Sequence, residues 1–136
     1  MSTTRVAGLQ SFTIYRDRGR QSLVLTYQNK LGTATTFSAV DFTAGTTTGK
    51  LRFYDLDTGD EVTAFQKLTT TATDVNTTPG SDGEVEWIWE SDFAPGGIYA
   101  TGTHKLRVVT EVTETDASPD TDLPYGSATF TYRSYP

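Results

Sequence analysis

Between Asp82 and Tyr99 the chain reads Asp82, then Gly83-Glu-Val-Glu-Trp-Ile-Trp-Glu90, then Phe93, Pro95-Gly96-Gly97 and Tyr99. Val85, Trp87 and Trp89 alternate with Glu84, Glu86, Ile88 and Glu90. Residues two apart on a strand share a face, so one face carries both tryptophans and the other is mostly carboxylate. Asp82-Gly83 opens this segment as a turn, and Pro95-Gly96-Gly97 closes it. No helical register gathers the two indoles away from the acids so cleanly. The segment specifies a half-buried antiparallel strand whose aromatic side belongs to a core.

Period-two alternation recurs along the chain, and no window repeats apolar residues at helical spacing between two caps. Phe12 and Ile14 mark a strand over Ser11–Arg16, followed by a turn at Asp17–Arg20. Leu23, Leu25 and Tyr27 mark a second, and Asn29–Gly32 reads as the next turn. Ala34–Phe42 is a weaker segment anchored by Phe37, Val40 and Phe42, and residues 45–49 read as a loop. Leu51–Tyr54 and Glu61–Leu68, joined by Asp57-Thr58-Gly59-Asp60, form an expected hairpin. Residues 69–76 hold a weak strand, and 77–83 a connection. His104–Thr113 and Ser127–Arg133 are the last strands, separated by a polar loop over residues 115–123. Eight or nine short strands at this spacing imply an all-β, immunoglobulin-like antiparallel sandwich of about seven to nine strands. The whole chain, 1–136, reads as a single domain. The expected core is Phe12, Ile14, Leu23, Leu25, Leu51, Phe53, Val85, Trp87, Trp89, Tyr99, Leu106, Val108 and Phe130.

Bulk composition narrows the function. The formal net charge of -6 disfavours nucleic acid and anionic membranes as partners. There is no cysteine, hence no disulfide and no thiolate metal site. No apolar run approaches a membrane span, and the first residues lack the apolar stretch of a signal peptide. Cytoplasmic synthesis is the expectation.

Residues with chemical potential are few. His104 is the only histidine, opening a strand beside Lys105, where an ordinary surface role fits better than a catalytic one. Glu84 and Glu86 would be a glycosidase pair only if they faced a cleft, and the alternation makes them a solvated face. Asp116, Asp120 and Asp122 supply oxygen ligands, but without the glycine and terminal glutamate of a calcium loop. No catalytic, cofactor-binding or metal-ligating residues are assigned. Arg16, Arg18 and Arg20 form a basic cluster in an acidic chain. It reads either as a charged turn that discourages edge pairing or as a docking patch for an acidic partner. Tyr132, Arg133 and Tyr135 set two tyrosines beside an arginine, which reads either as an interface anchor or as a cap on the end of the sandwich.

In order along the chain stand Phe12-Thr-Ile-Tyr-Arg16, the alternating Leu23-Val-Leu-Thr26, Gly49-Lys-Leu-Arg-Phe-Tyr54 with the Asp57-Thr-Gly59 turn, Asp82-Gly-Glu-Val85 with Trp87, then Phe93, Pro95-Gly96 and Tyr99. This series resembles the immunoglobulin-like N-terminal domain of the phage baseplate upper protein family. It departs from that pattern at Asp17-Arg18, where Gly-Asp is usual, and in the threonine-rich stretch before Pro79. The resemblance implies a non-enzymatic virion structural protein of a tailed virus: a capsid decoration or cement subunit, or a small tail or baseplate adaptor. Its implied partners are major capsid, tail or baseplate subunits in a symmetric, multi-copy assembly, with no cofactor, nucleic acid or membrane, and its implied location is the virion. Arg16, Arg18, Arg20, Tyr132, Arg133 and Tyr135 are the expected contact residues. Two rival expectations are a carbohydrate-binding module, which needs Trp87 or Trp89 facing solvent, and a small glycoside hydrolase acting through Glu84 and Glu86.

Overall fold

Side-chain alternation sorts the chain into two layers. The computed structural model describes residues 3–16, 18–43, 47–114 and 121–134. Its strands are β1 (Thr3–Val6), β2 (Phe12–Arg16), β3 (Gln21–Thr26), β4 (Gln28–Leu31), β5 (Ser38–Ala39), β6 (Thr47–Asp55), β7 (Lys67–Leu68), β8 (Glu84–Trp89), β9 (Thr103–Glu114) and β10 (Thr121–Ser134). One layer is a five-stranded sheet in the order β2-β10-β9-β6-β7, and β2 runs parallel to β10. The other layer is built on β3 and β4. The β3 strand pairs with β8, and β4 lies between β1 and β5. Tyr27 joins the two pieces, donating its N–H to the Gly83 carbonyl and accepting from Val40 N–H, so β8 and β5 follow one another along the same flank. The N-terminal segment serves both layers: β1 pairs with β4, and past Gly8, at φ 72°, β2 joins β10. An opening strand shared between both sheets, its second half parallel to the last strand, makes this all-β sandwich immunoglobulin-like.

Both indoles point inward with no solvent exposure, and Val85 and Phe53 pack in the same core. Phe130 of β10 is the hub of the aromatic packing, in ring contact with Phe12, Phe53, Phe65, Trp89 and Tyr132. Every expected core residue belongs to this cluster, with Phe12, Leu23 and Tyr99 at its half-buried margin. Tyr27, Phe42, Phe65, Val112, Tyr125 and Tyr132 also belong to it, with the smaller Ala7, Val40 and Val75.

One polar line crosses the core. Trp87 Nε1 donates to the Tyr27 hydroxyl (3.1 Å), Tyr27 donates to Thr110 Oγ1, and Thr110 donates to the Lys50 carbonyl (3.1 Å). Each hydroxyl has one hydrogen, so the carbonyl at the far end fixes the direction of the whole series. Burial raises the Tyr27 phenol above its ordinary value, which keeps it a neutral donor.

Several expectations change. Residues 47–49 and 121–123, expected in loops, are drawn into β6 and β10 by pairing with β9, and Ala34–Phe42 is strand only at Ser38–Ala39. The segment expected to turn at Asn29–Gly32 is strand as far as Leu31, because β1 and β5 supply backbone partners on both sides and its polar side chains are tolerated there. The expected return strand over Glu61–Leu68 is reduced to a bridge at Glu61, a 3-10 turn at Thr63–Phe65 and the two residues of β7. The turn swings Phe65 into ring contact with Phe53, Phe93, Tyr99, Phe130 and Tyr132, a gain that regular alternation does not provide. Thr69–Asn76 is turn-rich and touches β8 through a single bridge, Val75 to Trp87. There the Asp74 carbonyl accepts the N–H of Ile88, which is buried although it lies on the outward side of β8.

Sheet edges are closed by specific groups. The Gln21 carboxamide pairs with both backbone groups of Tyr15 on β2, at 2.9 and 2.8 Å. Asp74 closes the opposite flank of the sandwich. Its carbonyl accepts Ile88 N–H from β8 (2.9 Å), and its carboxylate accepts Leu68 N–H from β7 (2.9 Å).

Gly83 shows how closely the backbones approach where β8 meets Tyr27 and β5 within one layer. Its φ is 76°, and a Cβ there would lie 2.3 Å from the Tyr27 carbonyl oxygen. Gly59 has a similar φ of 78° with open space around it. Gly59→Ala is therefore expected to cost about 1 kcal/mol, the strain term alone. Gly83→Ala is expected to cost about 3 kcal/mol or more, since backbone must move as well. Urea unfolding midpoints of the two variants check this; equal losses would show that the close approach at Gly83 carries no energy.

Candidate docking surface

The residues that sequence chemistry singled out are dispersed by the fold. His104 Nε2 bonds to the Thr101 carbonyl at 2.7 Å, and its ring lies against Tyr99. This fastens the turn before β9. Glu84 is exposed on the outward side of β8, and Glu86 accepts from Asn76 Nδ2 at 2.9 Å. Asp122 is occupied by Thr113, Lys50 and Arg52, and these contacts hold its carboxyl below the ordinary carboxylate value, the Thr113 hydroxyl most of all. Asp116 and Asp120 lie outside the described residues. With Trp87 and Trp89 sealed in the core, neither is a platform for a sugar ring.

The expected contact residues separate likewise. Arg16 turns toward the end of the sandwich, where Nη1 donates to the Pro95 and Tyr99 carbonyls. It holds down the Pro-Gly-Gly loop and the 3-10 turn at Gly97–Ala100. Arg20 pairs with Glu90 at 3.3 Å and donates to Asn76 Oδ1. Arg18 stacks over the Tyr15 ring. Tyr132, expected at an interface, is fully buried, because alternation along β10 puts it on the same side as Phe130. Arg133, its neighbour, is exposed on the other side. Tyr135 lies outside the described residues.

What the sequence did not announce is the company Arg133 keeps. On the outward face of the five-stranded sheet, Arg133 stands opposite Thr103, Lys105 opposite Thr131, and Arg107 between Thr129 and Tyr54. Lys105, Arg107 and Arg133 are exposed and have no ion pair among the described residues. Arg107 lies over the Tyr54 ring at 5.7 Å. Tyr15, opposite Arg133, continues the row to Arg18. Farther along the same face, Lys50 and Arg52 are neutralised by Asp122 and Glu111. The Arg52–Glu111 contact, 3.1 Å between Nε and Oε1, is an ion pair without hydrogen-bond alignment. Half of the face is therefore charge-balanced, and half is a band of cations interleaved with tyrosines. The alternation of Lys105 and Arg107 with buried Leu106 and Val108 was visible in the sequence, but the strand order that sets them beside Arg133 was not.

A second cation is internal. Lys67 is only 3% exposed, with its ammonium 4.9 Å from the Trp89 ring centre, 5.0 Å from that of Phe93 and 3.6 Å from Asp74 Oδ1. Burial pulls its pKa below the ordinary lysine value, against the opposing pull of Asp74. Among the described residues no group of three or more His, Asp or Glu side chains is arranged to hold a metal ion.

No protein-family model matches the chain, and no curated protein matches it either.

Two stability outcomes test which contacts fasten the fold most strongly. Arg16→Ala is expected to cost about 2 kcal/mol, since two carbonyls lose a charged donor, while Arg18→Ala stays within about 0.5 kcal/mol. Comparable losses in thermal unfolding would contradict this division. Asp74→Ala is expected to cost roughly 3 kcal/mol, because it strands the Lys67 ammonium as well as a β7 N–H. Adding Lys67→Met to Asp74→Ala is expected to return about 1–2 kcal/mol as a coupling term in a double-mutant cycle; additive losses would mean that the buried charge does not depend on Asp74.

Proposed function

We propose that the chain is a non-enzymatic structural module of a tailed-virus particle, acting by binding other virion proteins as a capsid decoration subunit or as a small tail or baseplate adaptor. The observation that carries this reading is the band of Lys105, Arg107 and Arg133, exposed and without an ion pair among the described residues, interleaved with half-buried Tyr54 and Tyr15 on paired strands. Arginine and tyrosine are the residue types that anchor protein interfaces. A sheet face presents them with little ordering entropy left to lose on binding. The series of landmarks from Phe12 to Tyr99 that resembles the baseplate upper protein domain supports the same reading from the sequence. Other polar groups of the kind an enzyme uses serve the scaffold here: His104 fastens a turn, Asp74 closes a flank, and Asp122 neutralises Lys50 and Arg52.

Immuno-electron microscopy of purified particles, with antibody raised against the folded chain, tests the proposal. Regularly spaced label on the head or tail is the expected result. Antigen confined to the soluble fraction of the lysed host, with clean particles, overturns it.

A further inference from the structure

The two faces of the sandwich carry opposite charge. The five-stranded sheet presents Lys105, Arg107 and Arg133. The other layer presents Glu84 and Glu86 from the outward side of β8, flanked by Asp82 before the strand and by Asp92 beyond it. Asp82 caps the Glu84 N–H and Glu86 accepts from Asn76, yet none of these four acids has an ion pair among the described residues. Val24, directly across from Glu86, is 52% exposed, an apolar point within the acidic field. Tyr54 and the stem of Arg107 are its counterpart within the basic one.

We infer that the basic face of one copy docks on the acidic β8 face of a second copy, head to tail. This rests on the proposed assembly role and specifies its geometry. A two-fold dimer through either face would set like charge against like, which costs energy at contact distance. A contact between unlike faces uses one face of each copy and leaves an acidic face free on one and a basic face free on the other, so it continues to a third and either closes as a ring or runs on. Closed sheet edges point the same way. The Tyr15 edge is occupied by Gln21, and the β7–β8 flank by Asp74, so along those borders strand addition does not compete with face-to-face contact.

Sedimentation analysis of the full chain at about 50 mM and about 500 mM salt is the test, since a contact made of exposed charges weakens as salt screens it. One variant carries Lys105→Glu, Arg107→Glu and Arg133→Glu; the other carries Glu84→Lys, Glu86→Lys and Asp92→Lys. Circular dichroism and urea midpoints confirm that both fold, as expected when five of the six positions are exposed and the sixth, Glu86, is half-buried on the outward side of β8. The native chain is expected to form species larger than a dimer at low salt and to dissociate at high salt. Each variant alone is expected to associate at least about tenfold more weakly. An equimolar mixture is expected to regain association, each reversed face meeting the other. The acid-reversed variant has no formal net charge, so recovery reads the faces rather than bulk attraction.

A native chain that stays monomeric at low salt overturns the inference, as does a dimer that grows no further or a mixture that does not recover. Particle labelling tells such a failure apart from failure of the assembly role. A monomeric chain found on particles, and lost from them when the three cations are reversed, would mean that the basic face meets an acidic partner of another sequence. A chain absent from particles removes the assembly role itself.

Discussion

The hydrogen-bond line from Trp87 through Tyr27 and Thr110 to the Lys50 carbonyl holds the two sheets in one alignment. Its net energy is modest. Each bond contributes about 1 kcal/mol, while burying one indole of roughly 200 Å² is worth about 5 kcal/mol. Apolar burial therefore supplies most of the driving force and the polar line supplies the selection. Sliding one sheet by a residue would leave an indole N–H and two hydroxyls unsatisfied in a dry core, at about 1–3 kcal/mol apiece. Tyr27 sits where β3 passes into β4, and its backbone also joins β8 to β5. The same residue thus ties both the depth and the width of its layer.

Asp74 plays a comparable part at the flank. Its backbone and side chain reach strands of different sheets, and its second oxygen answers the buried Lys67. The threonine-rich stretch around it carries little regular pairing of its own, yet through Asp74 and Asn76 it bonds the backbone of β8 and finishes its edge. Loop residues here are fixed by the strands they serve.

Much of the fold could be read from alternation. Val85, Trp87 and Trp89 declared their face because indoles and carboxylates do not exchange sides on a strand. Alternation was silent where composition was polar, as at Gln28–Leu31, and misleading where aromatic packing outweighed it, as at Phe65. The candidate surface was harder to read. Arg16, Arg18 and Arg20 are close in sequence but meet different neighbours, so local clustering was a poor guide. Lys105 and Arg107 meet Arg133 and Tyr54 only through strand order, which no short window contains. Tyr132 obeyed the alternation of β10 rather than the look of its neighbours.

The carboxamide of Gln21, lying along the backbone of Tyr15, does what a neighbouring strand would otherwise do. A small β-protein crowded at high local concentration faces the hazard of zipping into fibrils through its rims. With that hydrogen-bonding valence spent within the molecule, contacts made by its sides remain reversible. For the proposed assembly, this leaves copies free to be sorted, released and placed again without the irreversible growth that an open ribbon invites.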